Sequence, residues 1–231
     1  MAAKKNRLKG IEIIHEDRDI LVVDKPAGLL TIATDMEQEK TAYHILTDYV
    51  RKGCYKSRNR VYIVHRLDKG TSGVLIFAKS EEVKRNLQDQ WANTEKKYLT
   101  LVHGGISPKE GTISSYLAEN INHKMFSTHN ASKGKLSHTA YKVLKETKGF
   151  SLLEISLITG RKNQIRVHLA DKGCPVVGDK KYGNARDPHK RLALHAKSIT
   201  FNHPHSGKQL TFDAKIPGWF NGLNMGSGLE T

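Results

Sequence analysis

Apolar residues in this chain fall mostly in short alternating or continuous blocks, and three stretches repeat them at helical spacing. Ile11-Glu12-Ile13-Ile14 and Ile20-Leu21-Val22-Val23 read as strands, the second ended by Lys25-Pro26-Ala27-Gly28, whose Pro and Gly suit a tight turn. Residues 41–52 place Ala42, Ile45, Leu46, Tyr49 and Val50 on one helical face, with Gly53 as a stop. Val61–Val64 and Val74–Ala78 are β-rich runs on either side of a polar segment. Ser80 can cap a helix in which Glu81 and Glu82 suit the positive end and Val83, Leu87 and Trp91 share a face. Tyr98–Val102 returns to strand character, 138–145 and 150–158 flank a turn at Lys148-Gly149, and 163–171 fits a short helix. The polar, Lys- and His-rich stretch 119–135 reads as a loop able to close over a ligand. Many strands with few helices predict an α+β fold, with a mixed, largely antiparallel β-sheet core and flanking short helices.

Neither a repeat nor a long linker interrupts the pattern, so the 231 residues predict a basic N-terminal arm at 1–10, one folded domain at 11–220 and a flexible polar tail at 221–231. No apolar run approaches the roughly 20 residues that span a bilayer, and the basic start, followed by IEIIHEDRD, lacks the apolar core of a signal peptide. Cys54 and Cys174 form no CxxC pair, which argues against a disulfide framework or a thiolate zinc site and fits a reducing cytoplasm.

Charge narrows the partners. Against 23 Asp+Glu stand 38 Lys+Arg, a formal +15, and a field of that sign concentrates polyanions around the protein. Nucleic acid leads, ahead of anionic lipid or a merely solubilising surface.

Chemistry concentrates in His65-Arg66-Leu67-Asp68-Lys69-Gly70-Thr71-Ser72-Gly73, a polar loop held between two expected strands. Asp68 is its sole carboxylate, and the flanking cations favour a charged form able to act as nucleophile or base. On these residues alone, an Asp paired with Arg66 in a turn is the simpler reading, and Gly70, Gly73 and Gly160 are explained as turn residues.

Together, HRLDKGTSG resembles the HRLDxxTSG signature of the RluA family of pseudouridine synthases. Val23-Asp24-Lys25-Pro26-Ala27-Gly28-Leu29 is similar to the family's KPxG segment, Lys97-Tyr98-Leu99 to its KxYL segment, and Gly160–Leu169 to its GRxxQIRVHL segment. Pro175-Val176-Val177-Gly178-Asp179 and Leu192-Ala193-Leu194-His195-Ala196 follow in the family's order, over about residues 11–217. The resemblance implies that residues 11–220 are a pseudouridine synthase catalytic domain in which Asp68 attacks a uridine at the ribose C1′ or the base. The base then detaches, rotates and rejoins through C5, chemistry that needs no metal or redox cofactor.

By the same resemblance Tyr98 packs on the uracil and Arg166 pairs with the catalytic aspartate. Arg66 helps displace the target base, while His65, Arg161, Gln164 and His195 help hold RNA or the loop. The chain departs from the family at Lys162-Asn163, where Thr-His is frequent, and the residues before Ile11 are too few for the S4 RNA-binding module of many relatives. Recognition then falls to the catalytic domain, the basic arm and the shape of the RNA. A monomer acting on a stem-loop of rRNA, ahead of tRNA, is expected. The rival classes are a non-catalytic RNA-binding protein, which leaves the HRLD and QIR motifs unused, and a metal-dependent hydrolase. For the latter, His203-Pro204-His205 offers two ligands without a carboxylate and reads as a turn.

Overall fold

Two hydroxyl residues set helix starts that the sequence predicts. Thr41 accepts a hydrogen bond from His44 N and begins α1 (Ala42–Arg51), and Ser80 accepts from Val83 N and begins α2 (Glu81–Asp89). Lys52, with φ 51°, ends α1 one residue ahead of Gly53. The third helix, α3 (Gln164–Asp171), lies where the 163–171 pattern predicts it.

The computed structural model describes residues 7–33, 41–54 and 56–220. They form two compact units, one from the described residues within 1–94 and 196–215, the other from those within 95–195 and 216–231. In chain order the strands are β1 (Arg7–Leu8), β2 (Ile11–Glu16), β3 (Ile20–Lys25), β4 (Tyr62–Ile63), β5 (Ser72–Ala78), β6 (Glu95–His103), β7 (Glu110–Glu119), β8 (Met125–Thr128), β9 (Lys135–Thr147), β10 (Phe150–Leu157), β11 (Leu194–Asn202) and β12 (Gln209–Asp213). Every strand pairing with a described register is antiparallel, and an isolated parallel bridge joins Leu30 to Thr41. The α+β expectation of a mixed, largely antiparallel sheet with short helices holds.

In the first unit the order is β1-β2-β3-β5, with β4 also on β5 and β12 on β11. β5 is buried along its whole length, which explains its unbroken apolar run in place of an alternating one. Ile20, Val22, Val74 and Ile76 pack there with Leu87 of α2 and with Ile199 and Phe201 of β11. Residues 7–10 depart from the expected arm: Arg7 and Leu8 pair with Glu12 and Ile11 through a turn at Lys9-Gly10 with positive φ at both. The rest of the expected arm, residues 1–6, and the expected tail, 221–231, lie outside the described residues.

The second unit orders its strands β6-β10-β9-β7-β8. Here the expected loop 119–135 proves largely structured, because β8 pairs with β7 in the register Tyr116↔Thr128 to Glu119↔Met125. Asn120 Oδ1 closes that hairpin by accepting from Asn122 N and Lys124 N. Met125 packs with Leu117 and with Val167 of α3 in a small core.

α3 is fixed to this sheet by a buried polar pair of contacts. The His168 ring, fully buried, places Nδ1 2.9 Å from Thr139 Oγ1 and Nε2 3.0 Å from Ser115 Oγ. Burial, only partly opposed by the charge of Asp171, lowers its pKa to about 4. The unfolded chain therefore takes up this proton first as pH falls. Stability is expected to decline between about pH 6.5 and about pH 4, by on the order of 3 kcal/mol from this group, and to be insensitive to it above pH 7. Urea midpoints across that range, with NMR titration of the ring, check this; a ring titrating near 6.5 removes the effect.

Candidate active site

The HRLD loop belongs to the first unit, and the strand after it determines where the loop sits. Asp68 and Lys69 lie just before β5, where Thr71 N donates to Asp68 O at 3.1 Å and Gly28 N donates to Lys69 O at 2.7 Å. The second bond ties the loop to the turn that ends β3. Leu67 is held from the other side by Thr31, whose hydroxyl accepts from Leu67 N and donates to Leu67 O. His65 accepts from Ile76 N through Nε2 at 3.1 Å and lies 4.6 Å from Trp91, ring to ring. It anchors the loop to β5 and to the turn that follows α2. Arg66 is exposed and Asp68 half-buried, so both are open to solvent from a firmly held backbone.

Sequence reasoning missed one buried group beside this loop. Lys25 is fully buried, yet its ammonium donates to Pro26 O at 3.0 Å, Leu29 O at 2.7 Å and, more weakly, Lys69 O at 3.5 Å. Burial lowers its pKa to about 7, against the opposing pull of the Asp68 and Asp24 charges. An amine that is about half protonated near neutral pH, and whose charged form interacts with Asp68, thus lies beside the loop with three carbonyls as partners. The sequence signal was present in the KPxG segment, but a lysine before a proline is ordinarily exposed.

The remaining expected site residues lie in the second unit. Tyr98 is buried on β6, opposite Ile155 of β10. Arg166, half-buried on α3, grips Asp179 through two parallel bonds, Nε to Oδ2 at 2.7 Å and an Nη to Oδ1 at 2.8 Å. Burial tends to raise the Asp179 pKa, but the hydrogen bonds and charge of Arg166 outweigh it, and the carboxyl is held below its usual range. Asp179, not singled out from the sequence, fixes the guanidinium plane.

Gln164 has all four of its amide bonds satisfied within the protein. Its Oε1 accepts from Thr159 Oγ1 and Arg161 N, and its Nε2 donates to His138 O and Thr139 Oγ1. Gln164 is therefore a brace for residues 159–161, leaving Arg161 exposed at their end. His195 is fully buried, with its ring 6.2 Å from Phe220, and so lies beneath the surface. Of the glycines read as turn residues, Gly73 lies inside β5 and Gly160 has neither a positive φ nor a crowded Cβ position.

Three cations surround one further aromatic ring. Arg166 lies 5.0 Å from the Tyr182 centroid, and Lys124 and Lys181 each 5.6 Å. The Tyr182 hydroxyl accepts from Met125 N and donates to Asn163 Oδ1. Lys162, at the departure from the family pattern, reaches Glu119 Oε1 at 2.5 Å and His123 O at 3.2 Å. This patch can hold phosphate groups by charge and backbone shape.

The His203 turn also differs in part from expectation. Its Nδ1 accepts from His205 N and Ser206 N, as a turn requires. A carboxylate is nonetheless at hand, since Nε2 lies 3.2 Å from Asp17 Oδ2 and 4.0 Å from Asp19 Oδ2. No helix among the described residues is long and apolar enough to cross a membrane.

The chain is similar to known proteins in sequence and in fold. The family model described as RNA pseudouridylate synthase matches residues 19–171. A protein of Mycoplasma genitalium described as an uncharacterized RNA pseudouridine synthase, MG209, is 35% identical over 214 residues, 89% of this chain and 67% of its own. The ribosomal large subunit pseudouridine synthase D of Zymomonas mobilis is 34% identical over 221 residues, 90% of this chain and 69% of its own. The solved structure of human RNA pseudouridylate synthase domain containing 4 matches in fold, with a TM-score of 0.76 at 24% identity over 90% of each chain. A buried-lysine turn, an HRLD loop and a QIRVH helix on this α+β frame, matched over most of the chain, make it a member of the RNA pseudouridylate synthase family, of the RluA type, and an isomerase.

Proposed function

We propose that the chain isomerises specific uridines of large-subunit ribosomal RNA, with Asp68 as the attacking carboxylate. The observation that carries this reading is the construction of the HRLD loop. Asp68 is solvent-accessible on a backbone held by Gly28, Thr31 and β5, with the buried Lys25 amine beside the loop interacting with it in its charged form. Such an arrangement keeps a carboxylate positioned before substrate arrives, which is what attack on a nucleotide requires.

In this reading Tyr98 packs against the uracil and assists removal of the C5 proton, and Arg166, oriented by Asp179, is the supporting cation. Arg66 fills the space of the everted base, while Arg161 and the exposed lysines around Tyr182 contact the phosphate backbone. His65, Gln164 and His195 act by holding the loops that carry those groups. The atoms balance within one nucleotide: an N-glycosidic bond breaks, a C-glycosidic bond forms at C5, and the C5 proton leaves as N1 gains one. The large-subunit target rests on relatives of that description, such as the Zymomonas mobilis protein. The protein acts as a monomer in the cytoplasm, where free Cys54 and Cys174 are compatible with reducing conditions.

Pseudouridine mapping of total RNA from cells with and without the protein tests this. Sites lost from large-subunit rRNA are expected. Loss confined to tRNA overturns the target, and an unchanged map overturns the activity.

A further inference from the structure

We propose that His103, Asp187 and His189 form a binding site for a divalent transition-metal ion of the zinc class, separate from the reaction. The three residues come from distant parts of the second unit: His103 ends β6, and the other two lie in the irregular stretch between α3 and β11. Their ligand atoms lie within 4.8 Å of one another. His103 Nε2 is 2.6 Å from Asp187 Oδ2, and His189 Nδ1 is 2.7 Å from Oδ1. Two imidazoles and one carboxylate are a donor set suited to zinc, with a fourth position left for water.

The site is prepared beyond its ligands. Asp187 is buried, and its oxygens also accept from Gly178 N at 2.8 Å and His189 N at 2.9 Å, which fixes the carboxylate plane. Those bonds, with the two histidine contacts, hold its pKa well below the ordinary carboxylate range against the effect of burial. The Phe150 ring lies 5.4 Å from His103 and 5.8 Å from His189, packing both imidazoles in place. Both histidines are partly exposed, which gives an ion a path in. Tetrahedral ligands at zinc distances stand about 3.3 Å apart. An ion between them needs both rings to withdraw from their present carboxylate contacts, within reach of side-chain rotation.

The other grouping of this kind among the described residues, Asp17, Asp19 and His203, fails a simple test. His203 Nδ1 accepts two backbone N–H groups, so its proton sits on Nε2, the nitrogen that faces the carboxylates. An ion there meets an N–H instead of a lone pair. At His103 and His189 the nitrogen facing Asp187 also carries a proton, but among the described residues no backbone N–H holds the opposite nitrogen as an acceptor, so that proton can leave or move across the ring and expose a lone pair to the ion. An ion at the proposed site ties the irregular stretch to β6, and Gly178 links that tie to Asp179, the partner of Arg166.

The test uses the full chain, stripped by chelator, dialysed and titrated with Co2+ and then Zn2+. Saturable binding with the visible bands of a four-coordinate cobalt ion is expected, displaced by Zn2+, with affinity at least about tenfold weaker in both H103Q and H189Q. H203Q is expected to bind as the wild type does. Zn2+ should raise the unfolding temperature of the wild type and not that of H189Q, a substitution at a partly exposed side chain. Absence of saturable binding overturns the proposal. Undiminished affinity in a folded H189Q does so too, since the ion then sits elsewhere. If H103Q does not fold, H189Q alone decides.

Discussion

Asp68→Asn is expected to abolish uridine isomerisation, lowering single-turnover rates by at least about 10,000-fold, while folding and RNA affinity stay close to wild type. The substitution preserves the side-chain volume and removes only the negative oxygen that attacks. The loop should hold its shape, because its ties to Gly28, Thr31 and Ile76 run through backbone groups and His65, none of which involves the Asp68 carboxyl group. Lys25 keeps its carbonyl partners but loses one of the two charges that oppose its burial, so its pKa should fall further. Release of tritium from C5-labelled uridine in RNA measures the loss, with filter binding as the control. A variant that retains wild-type turnover refutes the role of Asp68, and one that loses RNA binding equally shows a general disruption.

How much of this was legible beforehand depended on whether a signal was local. α1 was readable from apolar spacing confined to a few turns, and α2 from such spacing and the Ser80 cap. β3 and β5 were readable as continuous apolar runs because both are buried. β7 and β8 were not. β7 carries Gly, Ser, Thr and Glu among few apolar residues and is made a strand by pairing with β9, distant in sequence, while β8 is four residues long and becomes a strand by pairing with β7. The Arg7–Leu8 strand was hidden by its brevity and by basic neighbours that read as an arm.

In the candidate site, the identity of the chemistry was legible and its supports were not. Asp68, Tyr98 and Arg166 fall in recognisable motifs, whereas Lys25 acts because it is buried and Asp179 because the chain returns it to Arg166. Burial and return depend on tertiary packing, which neither composition nor spacing records. Gln164 and His195 show the converse. Their motifs drew attention to them, and the hydrogen-bond geometry and burial place them within the framework.

Gly73→Ala is expected to cost more stability than any other single methyl group added near the HRLD loop. Gly73 ends the motif and pairs with Lys25 across β3 and β5, with φ 112°. A Cβ there falls 2.1 Å from Ala196 O, 2.7 Å from its carbonyl carbon and 2.8 Å from its nitrogen. All three are backbone atoms, so no side chain can rotate away, and relief requires β5 and the Ala196 backbone to separate. The conformation is itself strained for any L-residue, by about 1–3 kcal/mol before the clash is counted. The total is expected to exceed about 4 kcal/mol, a large part of the stability of a domain this size. Gly160→Ala supplies the contrast, with open space around the new Cβ and an ordinary φ, and should change stability by less than about 0.5 kcal/mol. Urea unfolding of the two variants reads the difference directly. A Gly73→Ala midpoint equal to the wild type would mean that the Ala196 backbone is not held against β5, and the rigid seat ascribed to Asp68 would lose one of its walls.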